Sequence, residues 1–207
     1  MVLGAAVLLV LGLLAGCGND NSNAGAPALG GVVRTPALQV AAIELPDVTG
    51  TEPVPTAMKA PSGELVLVYF GYTSCPDICP TTMSDISVAL NDLPPELAER
   101  VTVGMVTVDP DRDTDEPLRA YLGHFFEKSM ALRTEDLTVL SEAADAFGVR
   151  YEVAEHQAED EIYEVSHSAV TYVVDDTGTV VVEWPFGFDS LDMTADLKAL
   201  LEARDAA

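Results

Sequence analysis

Cys75 and Cys79 lie one helical turn apart in the run Gly71-Tyr72-Thr73-Ser74-Cys75-Pro76-Asp77-Ile78-Cys79-Pro80. An apolar stretch precedes this run and a helical pattern follows it. Pro80 fits only the first turn of that helix, where its missing N–H would have no intrahelical partner. Cys75 therefore sits just before or at the helix start, and Cys79 sits in the first turn. Both sulfurs then feel the positive helix end, which lowers thiol pKa and favours the thiolate. Thiolate is the form that binds soft metals and attacks disulfides. A one-turn separation also lets the two Cα atoms approach within the roughly 4.4–6.8 Å that a disulfide spans. The same pair can chelate a metal when reduced and close into a disulfide when oxidised. A C-x-x-x-C spacing is a weak signal by itself, and its place at a strand-to-helix turn strengthens it. His167 supplies a third donor. Two thiolates and one imidazole are a soft, low-coordinate set that suits Cu(I), whereas structural zinc wants four protein ligands.

Some ninety residues separate His167 from the cysteines, so the fold must bring them together. Leu65 to Phe70 reads as a central strand buried on both faces, and Val101 to Val108 as a second. Met83 to Leu93 has helical spacing and ends at Pro94-Pro95. Glu116 to Phe126 and Leu137 to Phe147 read as helices, the second stopped by Gly148. Glu155 to Glu164 is acidic and reads as an exposed loop. Ala169 to Val174 and Val180 to Trp184 read as strands joined through Asp175-Asp176-Thr177-Gly178, and Leu191 to Ala203 as a closing helix. This order predicts a three-layer α/β domain with a central mixed β-sheet, and a thioredoxin-like topology is the best-known arrangement with it. There the strand after His167 runs antiparallel beside Leu65 to Phe70, which carries His167 to the cysteine turn. His124, in a helix, and His156, in the acidic loop, are expected to be ordinary surface or hydrogen-bonded residues.

The 207-residue chain carries 34 acidic and 10 basic side chains, a net charge of −24. That balance excludes nucleic acid as an expected partner and direct attraction to an anionic membrane surface. Residues 1–16 are almost purely apolar, too short a run for a spanning helix and right for a signal peptide. They end in Leu14-Ala15-Gly16-Cys17, which is similar to the bacterial lipobox, although no Lys or Arg precedes the apolar run. The expected organisation is a signal peptide over 1–16, a lipidated Cys17 with a flexible tether over 17–40, and a thioredoxin-like domain over 41–207. Asp47 to Gly63, with three prolines, reads as an irregular lead-in. The expected location is extracytoplasmic, with the protein held at the bacterial cell membrane by its N-terminal anchor only. With Cys17 lipidated, Cys75 and Cys79 are the remaining cysteines, and a disulfide closing so short a loop would stabilise little.

Three motifs in order resemble the Sco/SenC proteins, which assist assembly of cytochrome c oxidase. They are Cys75-Pro76-Asp77-Ile78-Cys79-Pro80, Asp109-Pro110-Asp111-Arg112-Asp113-Thr114, and His167-Ser168 before a strand. The likeness covers about residues 40 to 205. It implies copper bound by Cys75, Cys79 and His167, as Cu(I) with Cu(II) a second state. It also implies delivery of copper to, or reduction of, the binuclear copper site on oxidase subunit II. Another extracytoplasmic copper chaperone or a thiol reductase would be a further partner. Asp109, following the second strand on the cysteine edge, is expected to support the metal site. Two functions stay open on these residues: a copper metallochaperone, and a thiol–disulfide oxidoreductase that reduces the cysteines of the oxidase copper site. A pure thioredoxin-type reductase commonly faces its cysteines with a proline, and this chain has Ser166-His167-Ser168 instead. A peroxidase would need one activated cysteine with a dedicated Thr and Arg environment, and no clear Arg is present for it.

Overall fold

The computed structural model describes residues 27–157, 160 and 162–206. Leu65–Gly71 (β3) and Val101–Thr107 (β4) are buried at every residue. Strands with no polar alternation need cover on both faces, and these two pair in parallel at the centre of the sheet. β1 is Glu44–Asp47, β2 Val54–Ala57, β5 Ser129–Leu132, β8 Val170–Val174 and β9 Val180–Pro185. The seven-stranded order is β2-β1-β5-β4-β3-β8-β9. β4 and β5 are parallel, while β8 runs antiparallel to both β3 and β9. The sheet is therefore mixed, and with helices packed on it the domain is α/β and thioredoxin-like.

The helices are Ile78–Asn91 (α1), Pro95–Ala98 (α2), Asp115–Leu122 (α3), Leu137–Phe147 (α4) and Ser190–Asp205 (α5). α4 starts where Asp136 accepts the amides of Thr138 and Val139, and it stops at Gly148 with φ +71°, a conformation that glycine adopts without strain. A separate two-stranded sheet pairs Tyr151–Val153 (β6) with Val165–His167 (β7).

Several segments differ from expectation: β5 was not predicted, and α3 ends at Leu122 rather than Phe126. The lead-in holds the β1–β2 hairpin, with Pro46 opposite Pro55; prolines weaken a strand reading, but β2 is the sheet edge, where a missing donor costs little. On either side of the acidic stretch stand β6 and β7, strands that the sequence did not predict, each too short to show a period. Part of the expected tether lies on the sheet: Val32 bridges to Glu183 and Gln39 to Thr179, and Val40 is fully buried.

Candidate metal centre

β3 ends at Gly71, and the next residues turn over the sheet before α1 begins. Gly71 is needed there, because a Cβ would stand 2.7 Å from the Tyr69 ring and 3.1 Å from Cys79 Sγ. The turn is pinned by Asp113, which is fully buried. Its carboxylate accepts the Thr73 amide at 2.9 Å, the Thr73 hydroxyl at 2.5 Å and the Thr107 hydroxyl at 2.6 Å. Burial raises the Asp113 pKa above the usual carboxylate range, and the three threonine bonds oppose that shift.

Cys75 is half-buried and Cys79 fully buried, both as free thiols. The Cys79 amide points at Cys75 Sγ, 3.4 Å away, so a free helix N-terminal N–H does meet a sulfur. α1 carries no acidic residue in its first turn, and its N-cap residue Asp77 makes no side-chain cap hydrogen bond. For Cys79 the expected thiolate does not follow. Burial pushes its thiol up to about 12, outweighing the bonds from the Tyr72 backbone and the Tyr69 hydroxyl that favour the anion. In the metal-free protein Cys79 is a protonated thiol at neutral pH.

His167 closes the group. Its Nε2 lies 3.3 Å from Cys79 Sγ, and its Nδ1 lies 3.0 Å from the Ser168 carbonyl. A carbonyl only accepts, so Nδ1 carries the proton and Nε2 turns its lone pair toward the sulfur. Burial lowers the His167 pKa, more than the Ser168 bond raises it, so the ring is neutral at pH 7 and ready to ligate. Tyr69 and Tyr72 both stand edge-on to it, with ring centroids 5.8 Å away. One ligand atom from each of Cys75, Cys79 and His167 lies within 4.8 Å of the other two. The structure thus brings together all three sequence-predicted donors.

Asp109 touches none of them. It is 1% exposed, and it accepts from Arg112 Nε and from the Tyr163 hydroxyl, each at 2.5 Å. Cys17 lies outside the described residues, among which no helix is long and apolar enough to cross a membrane. His124 makes no side-chain hydrogen bond among the described residues. His156 stacks on Tyr163, with centroids 3.8 Å apart, and its Nε2 is 3.2 Å from Asp111. Sequence reasoning did not single out Asp113, Tyr72, Arg112 or Tyr163. Asp113 and Arg112 stood inside the quoted Asp109–Thr114 segment, whereas nothing in the acidic loop marks Tyr163.

The SCO1/SenC family model matches residues 44–202. The SCO2-like protein RP587 of Rickettsia prowazekii (strain Madrid E) is 38% identical over 116 residues, 56% of each chain. A putative copper-binding protein of Stutzerimonas stutzeri is 32% identical over 126 residues, 61% of this chain and 60% of that one. The aligned stretch thus spans little more than half the length of these curated relatives. Apo Sco1 of Thermus thermophilus superposes with a TM-score of 0.70 at 32% identity, over 84% of this chain and 98% of that one. Bradyrhizobium japonicum ScoI, solved with copper bound, superposes with a TM-score of 0.62 at 28% identity, over 83% and 98%. With a family match that runs from β1 into α5 and encloses all three donors, the chain belongs to the SCO1/SenC family.

Proposed function

We propose that the protein is a copper metallochaperone for the binuclear copper site of cytochrome c oxidase subunit II, with copper as its cargo. The observation that carries this reading is the convergence of two sulfurs and one neutral imidazole within 4.8 Å. Such donors are soft and few, which favours Cu(I) over ions that want oxygen or a fourth ligand. A copper-bound relative at 28% identity supports the same assignment, and the oxidase role comes from the family. Cys75 and Cys79 bind as thiolates, so loading releases their thiol protons; His167 binds through Nε2 without losing one. Cys75, the more open sulfur, is the one a partner's ligand reaches first. The Leu14–Cys17 motif supports an extracytoplasmic, lipid-anchored protein, and mass spectrometry of the membrane fraction tests it; an unmodified Cys17 removes the anchor.

The free, adjacent sulfurs favour a second activity at the same place. In that reading Cys75 and Cys79 pass two electrons and two protons to a disulfide in the oxidase copper site. The protein ends as the Cys75–Cys79 disulfide and the target as a dithiol able to take copper. Titrating reduced and oxidised protein with Cu(I) in parallel tests the core of both readings. Oxidation consumes the two thiolates, so only the reduced form should bind tightly. Equal affinity in both forms would put the metal elsewhere.

A further inference from the structure

β6 and β7 hydrogen-bond to no strand of the main sheet. A two-stranded ribbon is marginal by itself in water, yet β7 ends in His167, whose ring must stay 3.3 Å from Cys79 Sγ. Contacts outside the ladder therefore fix its position, and most of them converge on Tyr163, two residues before β7. The Tyr163 hydroxyl donates to Asp109 Oδ1. The Arg112 guanidinium lies over the Tyr163 ring, 3.7 Å from its centroid. His156 stacks at 3.8 Å with 12° between planes; two planar groups so close to one ring occupy its opposite faces. Arg112 Nη1 also donates to the Tyr163 carbonyl at 3.3 Å, while its Nε is held by Asp109. One step nearer the imidazole, the Tyr72 hydroxyl donates to the Val165 carbonyl at 3.3 Å.

We propose that Tyr163 is the positioning residue for His167: gripped by Asp109, Arg112 and His156, it holds the β6–β7 hairpin where the imidazole meets the cysteines. Tyr163 touches none of the donors and acts through the three residues, Glu164, Val165 and Ser166, that join it to His167. The proposal rests on the reading of His167 as a ligand, but the clamp itself can be tested without metal.

Tyr163→Phe keeps the stacking and deletes only the hydroxyl bond, and Tyr163→Ala deletes both. The full chain is compared with each variant, metal-free, by amide exchange and by nitrogen NMR of the His167 ring. The Ala154 and Ser168 amides bond across the hairpin to Glu164 and Arg150. In Tyr163→Phe their exchange should quicken about tenfold, the effect of one lost hydrogen bond on local opening, with β3 amides unchanged. The His167 signal of a fixed Nδ1–H tautomer should average, and Cu(I) affinity should fall about tenfold. Should Tyr163→Ala not fold, the Phe variant carries the test. Unchanged hairpin exchange with an unchanged His167 signature in Tyr163→Phe would overturn the proposal. A loosened hairpin with undiminished Cu(I) affinity would uphold the clamp and overturn His167 as a ligand.

Discussion

Between Cys79 and His167 the protein holds one proton poised between a sulfur and a nitrogen 3.3 Å apart. The thiol is pushed up to about 12 by burial and the imidazole is lowered by burial, so the proton stays on sulfur and the ring stays neutral. The sign of the pH effect follows. From about pH 6.5, the usual imidazole value, up to pH 9, Cu(I) displaces the Cys79 proton, and each displaced proton makes apparent affinity rise about tenfold per pH unit. Competition titrations against a Cu(I) chelator across that range check this, and a flat profile would remove Cys79 from the ligand set. Below it the ring takes a proton in competition with the metal, and the profile steepens. His167→Ala separates delivery from reduction. It should weaken Cu(I) binding by at least about a hundredfold, the upper end of what losing a group that only supports a ligand costs, while Cys75 and Cys79 still form their disulfide. If that variant restored full oxidase activity to cells lacking the protein without excess copper, the reductase reading would replace copper delivery.

The cysteine turn is a segment without regular structure, held by a neighbouring element. Asp113, between β4 and α3, ties Thr73 to Thr107 and so ties the turn to the end of β4. Asp113→Ala leaves an amide and two hydroxyls without their acceptor, a loss of about 3 kcal/mol. Melting should fall by about 6–12 °C on the roughly 2–4 °C per kcal/mol expected at this size. Asp113→Asn keeps one acceptor oxygen and should cost less; equal melting of wild type and Asp113→Ala would remove the pin. This is also where the sequence became hard to read. β3, β4 and β8 were legible because continuous apolar runs demand a buried sheet, and with them came the cysteine turn and the return of His167. β1, β2, β5, β6 and β7 are three or four residues long, shorter than any window in which a period shows. Asp113 and Tyr163 were illegible for another reason: their roles depend on partners 40 and 54 residues away. The thiolate expectation failed at Cys79 because helix position can be read from sequence whereas depth of burial cannot.

Over the whole molecule, the N-terminal strap closes the open edge of the sheet. Residues 30–40 run antiparallel to β9, the edge strand, whose backbone groups would otherwise be free to pair with another chain. Asp196 on α5 locks the strap. It is 2% exposed, and its carboxylate accepts the Gly30 amide at 2.7 Å, the Gly31 amide at 3.0 Å and the Trp184 indole N–H at 2.9 Å. Arg34 and Glu183 add a bidentate pair. Gly31 is required for close approach, since a Cβ there would stand 2.5 Å from Val182 Cγ2 and 2.6 Å from Trp184 Cδ1. Asp196→Ala strands the buried indole N–H and frees both amides, an expected cost of about 2–3 kcal/mol. Gly31→Val should unseat the same segment by collision with Trp184. Because both act on one strap, they should not add: Gly31→Val should cost clearly less in the Asp196→Ala background than in the parent. Cu(I) affinity should hold in all three variants, since β8 stands between β9 and β3 and the strap supplies no donor. Denaturant unfolding of the four proteins with parallel Cu(I) titration decides it. Additive losses would show that Asp196 and Gly31 serve separate parts of the fold, and a fall in Cu(I) affinity would tie the strap to the site.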